Sequence, residues 1–498
     1  MSLYSRKLAQ YNPLMKLELQ IDREARLSVY RQIAEQIRSQ VHTGQLPAGT
    51  RLPPIRQLAD QLGVTRLTIQ NGYNLLHEEG LLEAIVGKGT FISQEVELRP
   101  VDPSFGQFTT PDKVIADMMQ SLHFNGMRSM AVAVPDNALL PTEVLAQILG
   151  SVQAGLNNLL GYGHIEGDPR LRMAIADWLA EVGISANSTE VIITSGAMQA
   201  LNLVARAFTR RGNKVLLEEP TYIGFFNVIR AEGLQPVTIP VGTDGPDLNR
   251  LEQLLKQHQP RFYYSIPNFH NPTGISFSRA KRQAILALTR RYNTLLVEDD
   301  VYGRLSYDGP PPTPYKALPD SEHVIYLGSL SKVAMPGLRI GYIHARPDLL
   351  AEMVALRHAI DLCGSPLLEN LACQFLLTGA AKRHIKRVVP IYRARRNALL
   401  ASLQRHMPAD VSWTRPAGGY CGWLTMPRYF APGALCQQAS QAGVGIGTGD
   451  AFFYHQPEVE HIRLCFGNQT EEGIDAGVRQ LAAIIKEKTS GQAGTRFS

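Results

Sequence analysis

The sequence predicts an α/β protein of two parts: an N-terminal winged helix-turn-helix, then a larger domain whose mainly parallel sheet is covered by helices and followed by a smaller α+β subdomain. Three observations support this fold class. The 498 residues exceed the usual size of one domain. Residues 1–95 contain three short helical patterns and then a hairpin pattern. Beyond about residue 113, helical stretches alternate with short β-branched runs, which is typical of a parallel sheet.

The composition narrows the class of protein. With 44% hydrophobic and 19% charged residues, the chain can build a large core, which excludes a disordered or collagen-like protein. No long apolar run and no apolar signal segment occur, so we expect a cytoplasmic protein without a membrane span. The five cysteines form no C-x-x-C pair and the histidines have no zinc-ligand spacing, so we expect free thiols and no metal site.

The net charge of +6 is too small for a chain of this length to identify a nucleic-acid-binding protein. Residues 1–95 contain 11 basic and nine acidic side chains, which leaves only +2 for that segment. The positions of individual basic residues must therefore decide whether the segment binds DNA.

Three helices are predicted within residues 1–95. The first has apolar residues at four-residue spacing from Val29 to Val41, and the second ends at Gly63. Thr65 is a preferred N-cap residue for the third. The run LLEAIVGKGTFIS at 81–93 then predicts two strands around a glycine turn. This order of elements is that of a winged helix-turn-helix.

The first turn of the third helix is predicted to enter the major groove of DNA, as it does in helix-turn-helix proteins. Arginine, threonine and glutamine side chains there can contact base edges or phosphates. Two arginines flank the second helix and can contact phosphates, and a lysine on the hairpin can reach the minor groove. The predicted contact residues are Arg51, Arg56, Thr65, Arg66, Thr68, Gln70 and Lys88.

This segment resembles the GntR family of bacterial regulators. The resemblance rests on the stretch G-x-L-P-x-G-x-x-L-P, the run R-x-L-A-x-x-L-G-V, and the ending E-G-L-L followed by G-K-G-T-F. It implies that the residues on DNA are Arg56, Thr65, Arg66, Thr68 and the wing glycine Gly87.

Residues 96–112 contain three prolines without a clear period and are predicted to be a linker. The domain expected at 113–490 has its strands in the runs EVIITS, NKVLLEE, RFYYSIP, NTLLVEDD and HVIYLGS. The smaller subdomain is expected from about residue 385. Within it, the run GVGIGTGD at 443–450 is interpreted as a turn rather than a dinucleotide site, because its spacing is G-x-G-x-G.

The segment SLSKVAMPGLRIG at 329–341 contains side chains that are suited to bind a cofactor. The amine of Lys332 can form a Schiff base with an aldehyde cofactor. Arg339 and the hydroxyls of Ser329 and Ser331 can hold a phosphate by charge-assisted hydrogen bonds.

Four other segments supply the remaining parts of such a site. The run VEDDVY at 297–302 ends a strand with carboxylates, and an aspartate at a pyridine nitrogen keeps that ring protonated. Asn271 in NFHNPTG can bond a phenolic oxygen. In TSGAMQAL, Gly196 begins a helix whose amides can bind phosphate. Tyr222 in EEPTYIGF can stack on a ring.

Together these segments resemble the fold-type I, pyridoxal-phosphate-dependent aminotransferase family over about 113–490. The resemblance implies that Lys332 is the Schiff-base lysine and that Asp299 is the partner of the pyridine nitrogen. Tyr302 and Asn271 would bond the phenolic oxygen. Asp299 is preferred to Asp300 because the family's spacing to the tyrosine is D-x-x-Y.

The resemblance also implies how the phosphate and a substrate are held. Ser329, Arg339 and the amides of Ala197 and Met198 would bind the phosphate, although many relatives have a polar pair at the last two positions. Tyr222 would lie on the ring face. Tyr162 would reach the phosphate of a neighbouring subunit, and Arg463 in HIRLCFG would grip a carboxylate bidentately.

A GntR-type winged helix joined to an aminotransferase-like domain resembles the MocR subfamily of regulators. The resemblance implies a homodimeric, pyridoxal 5'-phosphate-dependent transcription regulator that binds double-stranded promoter DNA and senses a small amino compound or the cofactor itself. An alternative stays open: an active aminotransferase that acts on an amino acid and a 2-oxo acid.

Overall fold

The chain forms two units, residues 1–109 and 110–498. The computed structural model describes residues 17, 19–22, 28–42, 46–47, 49–78, 81–85, 89–93, 128–152, 156–430, 433 and 435–494. The predicted wing residues Gly87 and Lys88 and the predicted linker at 96–112 lie outside these described residues.

The N-terminal unit has the elements of a winged helix. They are α1 (Val29–His42), α2 (Ile55–Leu62), α3 (Arg66–Glu78), β1 (Leu82–Ile85) and β2 (Gly89–Ile92). Gly63 ends α2 because it adopts a left-handed conformation (φ 62°) and donates its N–H to Ala59. Thr65 begins α3, where its hydroxyl accepts the N–H of Thr68 at 3.2 Å.

The apolar stripes of the three helices meet in one core. Ile33 and Ile37 of α1, Leu58 of α2, and Ile69 and Leu76 of α3 are each completely buried. The antiparallel pair β1–β2, in which Leu82 faces Ile92, closes the unit. The predicted helix stripes and hairpin are therefore confirmed in the described residues.

The C-terminal unit alternates helices and strands along most of its length. Its strands are β3 (Arg128–Ser129), β4 (Val191–Thr194), β5 (Lys214–Glu219), β6 (Gln235–Gly242), β7 (Gly245–Pro246), β8 (Phe262–Ser265), β9 (Leu295–Asp299), β10 (Val324–Ser329), β11 (Gly341–His344), β12 (Ser412–Trp413), β13 (Cys421–Thr425), β14 (Val444–Gly445), β15 (Gly447–Thr448) and β16 (His461–Cys465). Its helices are α4 (Thr142–Val152), α5 (Leu156–Leu159), α6 (Pro169–Ala180), α7 (Ala197–Phe208), α8 (Ile223–Ala231), α9 (Leu248–His258), α10 (Arg279–Arg291), α11 (Pro347–Ile360), α12 (Pro366–Leu377), α13 (Ala380–His406), α14 (Cys436–Gln441) and α15 (Glu471–Gly494).

Eight strands form the large sheet, in the order β4-β11-β10-β9-β8-β5-β6-β7. The neighbours from β10 to β6 are parallel, whereas β11 is antiparallel to both of its neighbours and β7 is antiparallel to β6. The mainly parallel sheet is confirmed, and each of the five predicted runs contains one of its strands. The carboxyl ends of β5, β8, β9 and β10 reach the same edge, so the loops after them can build one site.

Helices cover both faces of this sheet. On one face, α7 and α8 pack with α11 on apolar side chains of the parallel strands. On the other face, α9 and α10 pack around residues such as Leu216, Tyr263 and Leu296. The strands are therefore buried on both sides, as the continuous apolar runs in the sequence indicate.

The smaller subdomain combines an antiparallel sheet, in the order β12-β13-β16-β15, with the long helices α13 and α15. Its core also includes Met130 and Ala133, which lie far upstream in the sequence. The interpretation of residues 443–450 as a simple turn is wrong, because β14 and β15 lie within them.

In the part of the chain that the structure describes, no helix is long and apolar enough to span a membrane.

Candidate functional site

A cavity of about 110 Å³ opens at the carboxyl edge of the large sheet. The residues that line it come from the loops after β4, β5, β8, β9 and β10. They are Ala197, Met198, Tyr222, Ile266, Asn271, Asp299, Val301, Tyr302, Ser329, Ser331, Lys332 and Arg339. The structure therefore brings together every residue that the sequence assigned to the cofactor except Tyr162.

Lys332 lies three residues beyond the end of β10 and lines the cavity. Its ammonium donates a hydrogen bond to the carbonyl of Ala133 at 2.7 Å. Burial lowers the pKa of this amine to about 8. A much larger share of the amine than for an ordinary lysine is therefore neutral and nucleophilic near neutral pH.

Asp299 ends β9 and points one carboxylate oxygen toward the cavity. Its Oδ2 accepts the hydroxyl of Tyr264 at 2.7 Å, whereas its Oδ1 is buried and has no hydrogen-bond partner. Burial raises the pKa of this carboxyl group to about 6. The carboxylate is suited to accept a hydrogen bond from a cationic ligand group.

Asp300 points elsewhere. Its oxygens accept the amide of Asn268 at 2.7 Å and the hydroxyl of Tyr326 at 2.8 Å, and it does not line the cavity. The geometry thus agrees with the preference for Asp299 that the D-x-x-Y spacing indicated.

Tyr302 and Asn271 lie on the side of the cavity nearer the smaller subdomain. The hydroxyl of Tyr302 is buried without a partner, and burial raises its pKa well above the usual value, so it remains a neutral donor. The Oδ1 of Asn271 accepts a hydrogen bond from Nη1 of Arg463 at 2.9 Å.

Arg463 lies on β16 and is only 4% exposed. Its Nη2 donates to the carbonyl of Ala131, its guanidinium lies 4.4 Å from the ring centre of Phe452, and its Nε is buried without a partner. This buried cation beside the cavity is suited to bind a carboxylate.

The opposite end of the cavity is built for an anion. Gly196 precedes α7 with a φ of 89°, and a Cβ added to it would lie 2.5 Å from Nη2 of Arg339. The positive φ favours glycine at this position, and a side chain there would require the guanidinium of Arg339 to shift. Arg339 also reaches Ser331 Oγ at 3.4 Å, so cationic and hydroxyl groups converge there with the unpaired amides of the first turn of α7.

Tyr222 lines the cavity from the start of α8, and burial raises the pKa of its hydroxyl. Tyr162 is 89% exposed and does not line the cavity of its own chain.

Several residues of this site were not predicted from the sequence. Tyr264 bonds Asp299, and the carbonyls of Ala131 and Ala133 accept from Arg463 and Lys332. Tyr264 could have been found, because its strand precedes β9 and the alternation of side chains places it on the same face. The two carbonyls carry no side-chain signal.

In the N-terminal unit, the predicted DNA-contact residues that the structure describes fall into three groups. Arg56, Arg66 and Gln70 are exposed. Thr65 and Thr68 bond each other through their hydroxyls at 2.9 Å, and Thr65 also caps α3, so these two side chains help to form the helix. Arg51 is half-buried and forms an isolated bridge with Phe91 of β2.

The sheet and the lysine cavity define the C-terminal unit as an aminotransferase-like domain of fold type I. Residues 134–481 match the aminotransferase class I and II family, and residues 29–92 match the gntR family of bacterial regulatory proteins. The chain belongs to the aminotransferase class I and II family and carries a GntR-type helix-turn-helix domain before it. The predicted resemblance to both families is confirmed.

Both aminotransferases and transcription regulators are similar to this chain. The α-aminoadipate aminotransferase LysN of Thermus thermophilus, solved with N-(5'-phosphopyridoxyl)-L-leucine, is 33% identical with a TM-score of 0.71, and the match covers 76% of this chain and 95% of LysN. The uncharacterized HTH-type transcriptional regulator YdfD of Bacillus subtilis is 28% identical over 93% of this chain and 98% of its own length. The probable rhizopine catabolism regulatory protein MocR of Rhizobium meliloti is 28% identical over 95% of this chain and 97% of its own length.

The cofactor of this family, pyridoxal 5'-phosphate, fits the residues present. Asp299 Oδ1 and the Tyr302 hydroxyl are buried polar atoms without partners, and each needs a ligand group. A pyridine nitrogen and a phenolic oxygen are groups of the required kind, and the anion-binding end of the cavity suits a phosphate.

Proposed function

We propose that this chain is a DNA-binding transcription regulator that uses pyridoxal phosphate to sense an amino compound, or the cofactor itself, and that it acts as a homodimer. The observation that carries the proposal is the presence, in one chain, of a winged helix with exposed Arg56 and Arg66 and of a buried lysine beside partnerless polar atoms.

Four residues of the cavity would hold the cofactor in this proposal. Pyridoxal phosphate supplies an aldehyde and an electron-withdrawing pyridine ring. When bound, the cofactor would have its aldehyde beside the amine of Lys332, and Asp299 would accept the pyridine N–H. Tyr302 would donate to the phenolic oxygen, and Arg339 would hold the phosphate. These side chains fix the cofactor by its four different groups.

An amino compound with a carboxylate would be recognised on the other side of the cavity. Arg463 binds that carboxylate, and its contact with Asn271 orients the guanidinium.

Tyr162 is exposed in its own chain, and we propose that it completes the phosphate site of the neighbouring subunit.

Regulation requires that the ligand binds one arrangement of the dimer better than another, because a ligand with equal affinity for both shifts nothing. We propose that ligand binding in the cavity changes how the two winged helices of the dimer meet two DNA half-sites.

Absorbance of the purified full-length chain tests the cofactor assignment. The wild-type chain, mixed with pyridoxal phosphate and dialysed, should keep a visible absorption band, and Lys332→Ala should lose it. Lys316→Gln is a matched control, since burial also lowers the pKa of Lys316 to about 8 but this lysine lies outside the cavity. An unchanged band in Lys332→Ala would show that the cofactor binds elsewhere.

DNA binding tests the regulator assignment. Fragments enriched by the wild-type chain from a random double-stranded pool should bind in a gel-shift assay, and individual L-amino acids should be screened for a change in that affinity. Failure to enrich any sequence over the starting pool would contradict the proposal.

A second candidate function is an aminotransferase. It is favoured by the buried Arg463–Asn271 pair, which is suited to hold the carboxylate of an amino acid. Steady turnover of an L-amino acid with 2-oxoglutarate, at more than about one per second, would favour the enzyme. A single half-reaction without turnover would favour the regulator.

A further inference from the structure

Two of the five cysteines face each other in the smaller subdomain. Cys421 on β13 and Cys465 on β16 are directly opposite in the antiparallel register, and their sulfur atoms are 3.8 Å apart. Both side chains are buried, at 2% and 0% exposure. None of the roles proposed above uses either thiol.

The backbone places these two residues within reach of a disulfide. The N–H of Cys465 donates to Met130 rather than to Cys421, and the flanking Phe466 donates to Tyr420. Cys421 and Cys465 are therefore a non-hydrogen-bonded pair, for which the Cα atoms are about 4.5 Å apart. That separation is within the range of about 4.4–6.8 Å found for disulfides.

The two thiols differ in their ionisation. Burial raises the pKa of the Cys465 thiol, but the hydrogen bond from Cys421 and the charge of Arg463 outweigh burial and bring it to about 7. The hydrogen bond to Cys465 and burial raise the pKa of the Cys421 thiol well above its usual value. Near neutral pH, part of Cys465 is therefore the thiolate, which is the nucleophile of thiol chemistry, while Cys421 remains a thiol.

We propose that Cys421 and Cys465 are a reversible oxidation site, at which hydrogen peroxide converts the two thiols to a disulfide. The Cys465 thiolate attacks one peroxide oxygen, the O–O bond breaks, and a sulfenic acid and hydroxide are formed. The Cys421 sulfur then attacks the sulfenic sulfur, and hydroxide leaves and takes up the thiol proton as water. Two electrons pass from the sulfurs to the peroxide.

The site lies against the carboxylate-binding side of the cavity. Cys421 Sγ is 3.8 Å from Oδ1 of Asn271, which also accepts from Arg463. Formation of the disulfide removes the ionisable thiol of Cys465 beside Arg463 and changes the position of the Cys421 sulfur next to Asn271. Oxidation is therefore expected to change the affinity of the cavity for carboxylate ligands.

Peptide mass spectrometry of the full-length chain tests the proposal directly. Trypsin separates the two cysteines into the peptides 406–428 and 464–479, each with one cysteine. After treatment with hydrogen peroxide and alkylation, the two peptides should appear joined, with a mass two hydrogens below their sum. Dithiothreitol should restore the separate alkylated peptides.

Single variants separate this pair from the other cysteines. Cys421→Ser and Cys465→Ser should each abolish the joined peptide, whereas Cys373→Ser, which removes another buried thiol, should leave it unchanged. Thermal melting of each variant checks that it is folded. A joined peptide that is absent from folded, peroxide-treated wild-type chain would overturn the proposal, as would independent sulfinic acids on the two residues.

The outcome is independent of the proposed function, because disulfide formation is read without cofactor or DNA.

Discussion

Asp299 and Asp300 are adjacent in the sequence, yet their carboxylates have different hydrogen-bond partners. Both oxygens of Asp300 have protein partners, whereas Oδ1 of Asp299 has none. A buried acceptor without a partner carries a cost of about 1–3 kcal/mol, which a ligand can remove. Asp299 is thus the aspartate that is suited to bind a ligand, whereas Asp300 is bonded within the fold.

Asp299→Asn is expected to weaken pyridoxal phosphate binding about 10- to 100-fold, because a charge-assisted hydrogen bond becomes a neutral one. Asp300→Asn should lower the melting temperature but change the cofactor affinity less. Titration of each full-length variant with pyridoxal phosphate, followed by absorbance, measures both affinities. Equal losses in the two variants would contradict the distinction.

The lowered pKa of Lys332 predicts how the rate of cofactor capture depends on pH. Only the neutral amine attacks an aldehyde, and the pKa of this amine is about 8. The rate of cofactor capture should rise about tenfold per pH unit below pH 8 and level off above it. Stopped-flow absorbance measures the rate, with N-acetyl-lysine as the reference for changes in pyridoxal phosphate itself. A rate that keeps rising to pH 10 would show an unperturbed lysine.

At the scale of elements, the start of α7 depends on one glycine. Gly196 has a positive φ, and a side chain there would collide with the guanidinium of Arg339. The helix start and the arginine therefore form one anion site in this arrangement because residue 196 has no Cβ.

Gly196→Ala is expected to reduce pyridoxal phosphate affinity by about tenfold or more, because it displaces Arg339 from the phosphate end. Gly212→Ala is a matched control: its φ is also positive, at 84°, but a Cβ there meets no atom within 4 Å. The control separates backbone strain from the loss of the arginine contact. Similar affinities for the two variants would contradict the role of Arg339.

Some elements were predictable from the sequence and others were not. The runs NKVLLEE and NTLLVEDD are continuous, apolar and bounded by turns, so they indicate β5 and β9. β6 was missed because Pro236 and Pro240 argue against a strand. Prolines are tolerated near a sheet edge, and the outer neighbour of β6 is only the two-residue β7. β11 has four residues, like β4 and β8, but it was missed because it begins with a glycine, a residue that is depleted in strands.

At the scale of the whole molecule, two units with different chemistry share one chain. The charge distribution did not reveal this division, because residues 1–95 carry only +2. The exposed residues of α3 are the better indicator, since Arg66 and Gln70 lie at the helix start that enters the major groove in this class of domain.

Arg66→Ala should weaken binding to the enriched DNA by about 1–3 kcal/mol or, if the contact is to phosphate, lower the salt slope by about 1. Asn74→Ala, an exposed neutral residue farther along α3, is the control and should change neither quantity. Fluorescence anisotropy of full-length chain at several salt concentrations measures both. An unchanged affinity and slope in Arg66→Ala would show that α3 does not face the DNA.

The sequence by itself determined the two classes of domain, the order of most elements and the lysine, aspartate and arginine candidates. These depend on local periodicity, capping residues and short motifs, which are properties of neighbouring residues. The folded chain was needed to show that Arg463 contacts Asn271, that the carbonyls of Ala131 and Ala133 enter the site, and that Cys421 faces Cys465. Those contacts join segments far apart in the chain, and their geometry follows from how strands and loops pack rather than from the residues next to them.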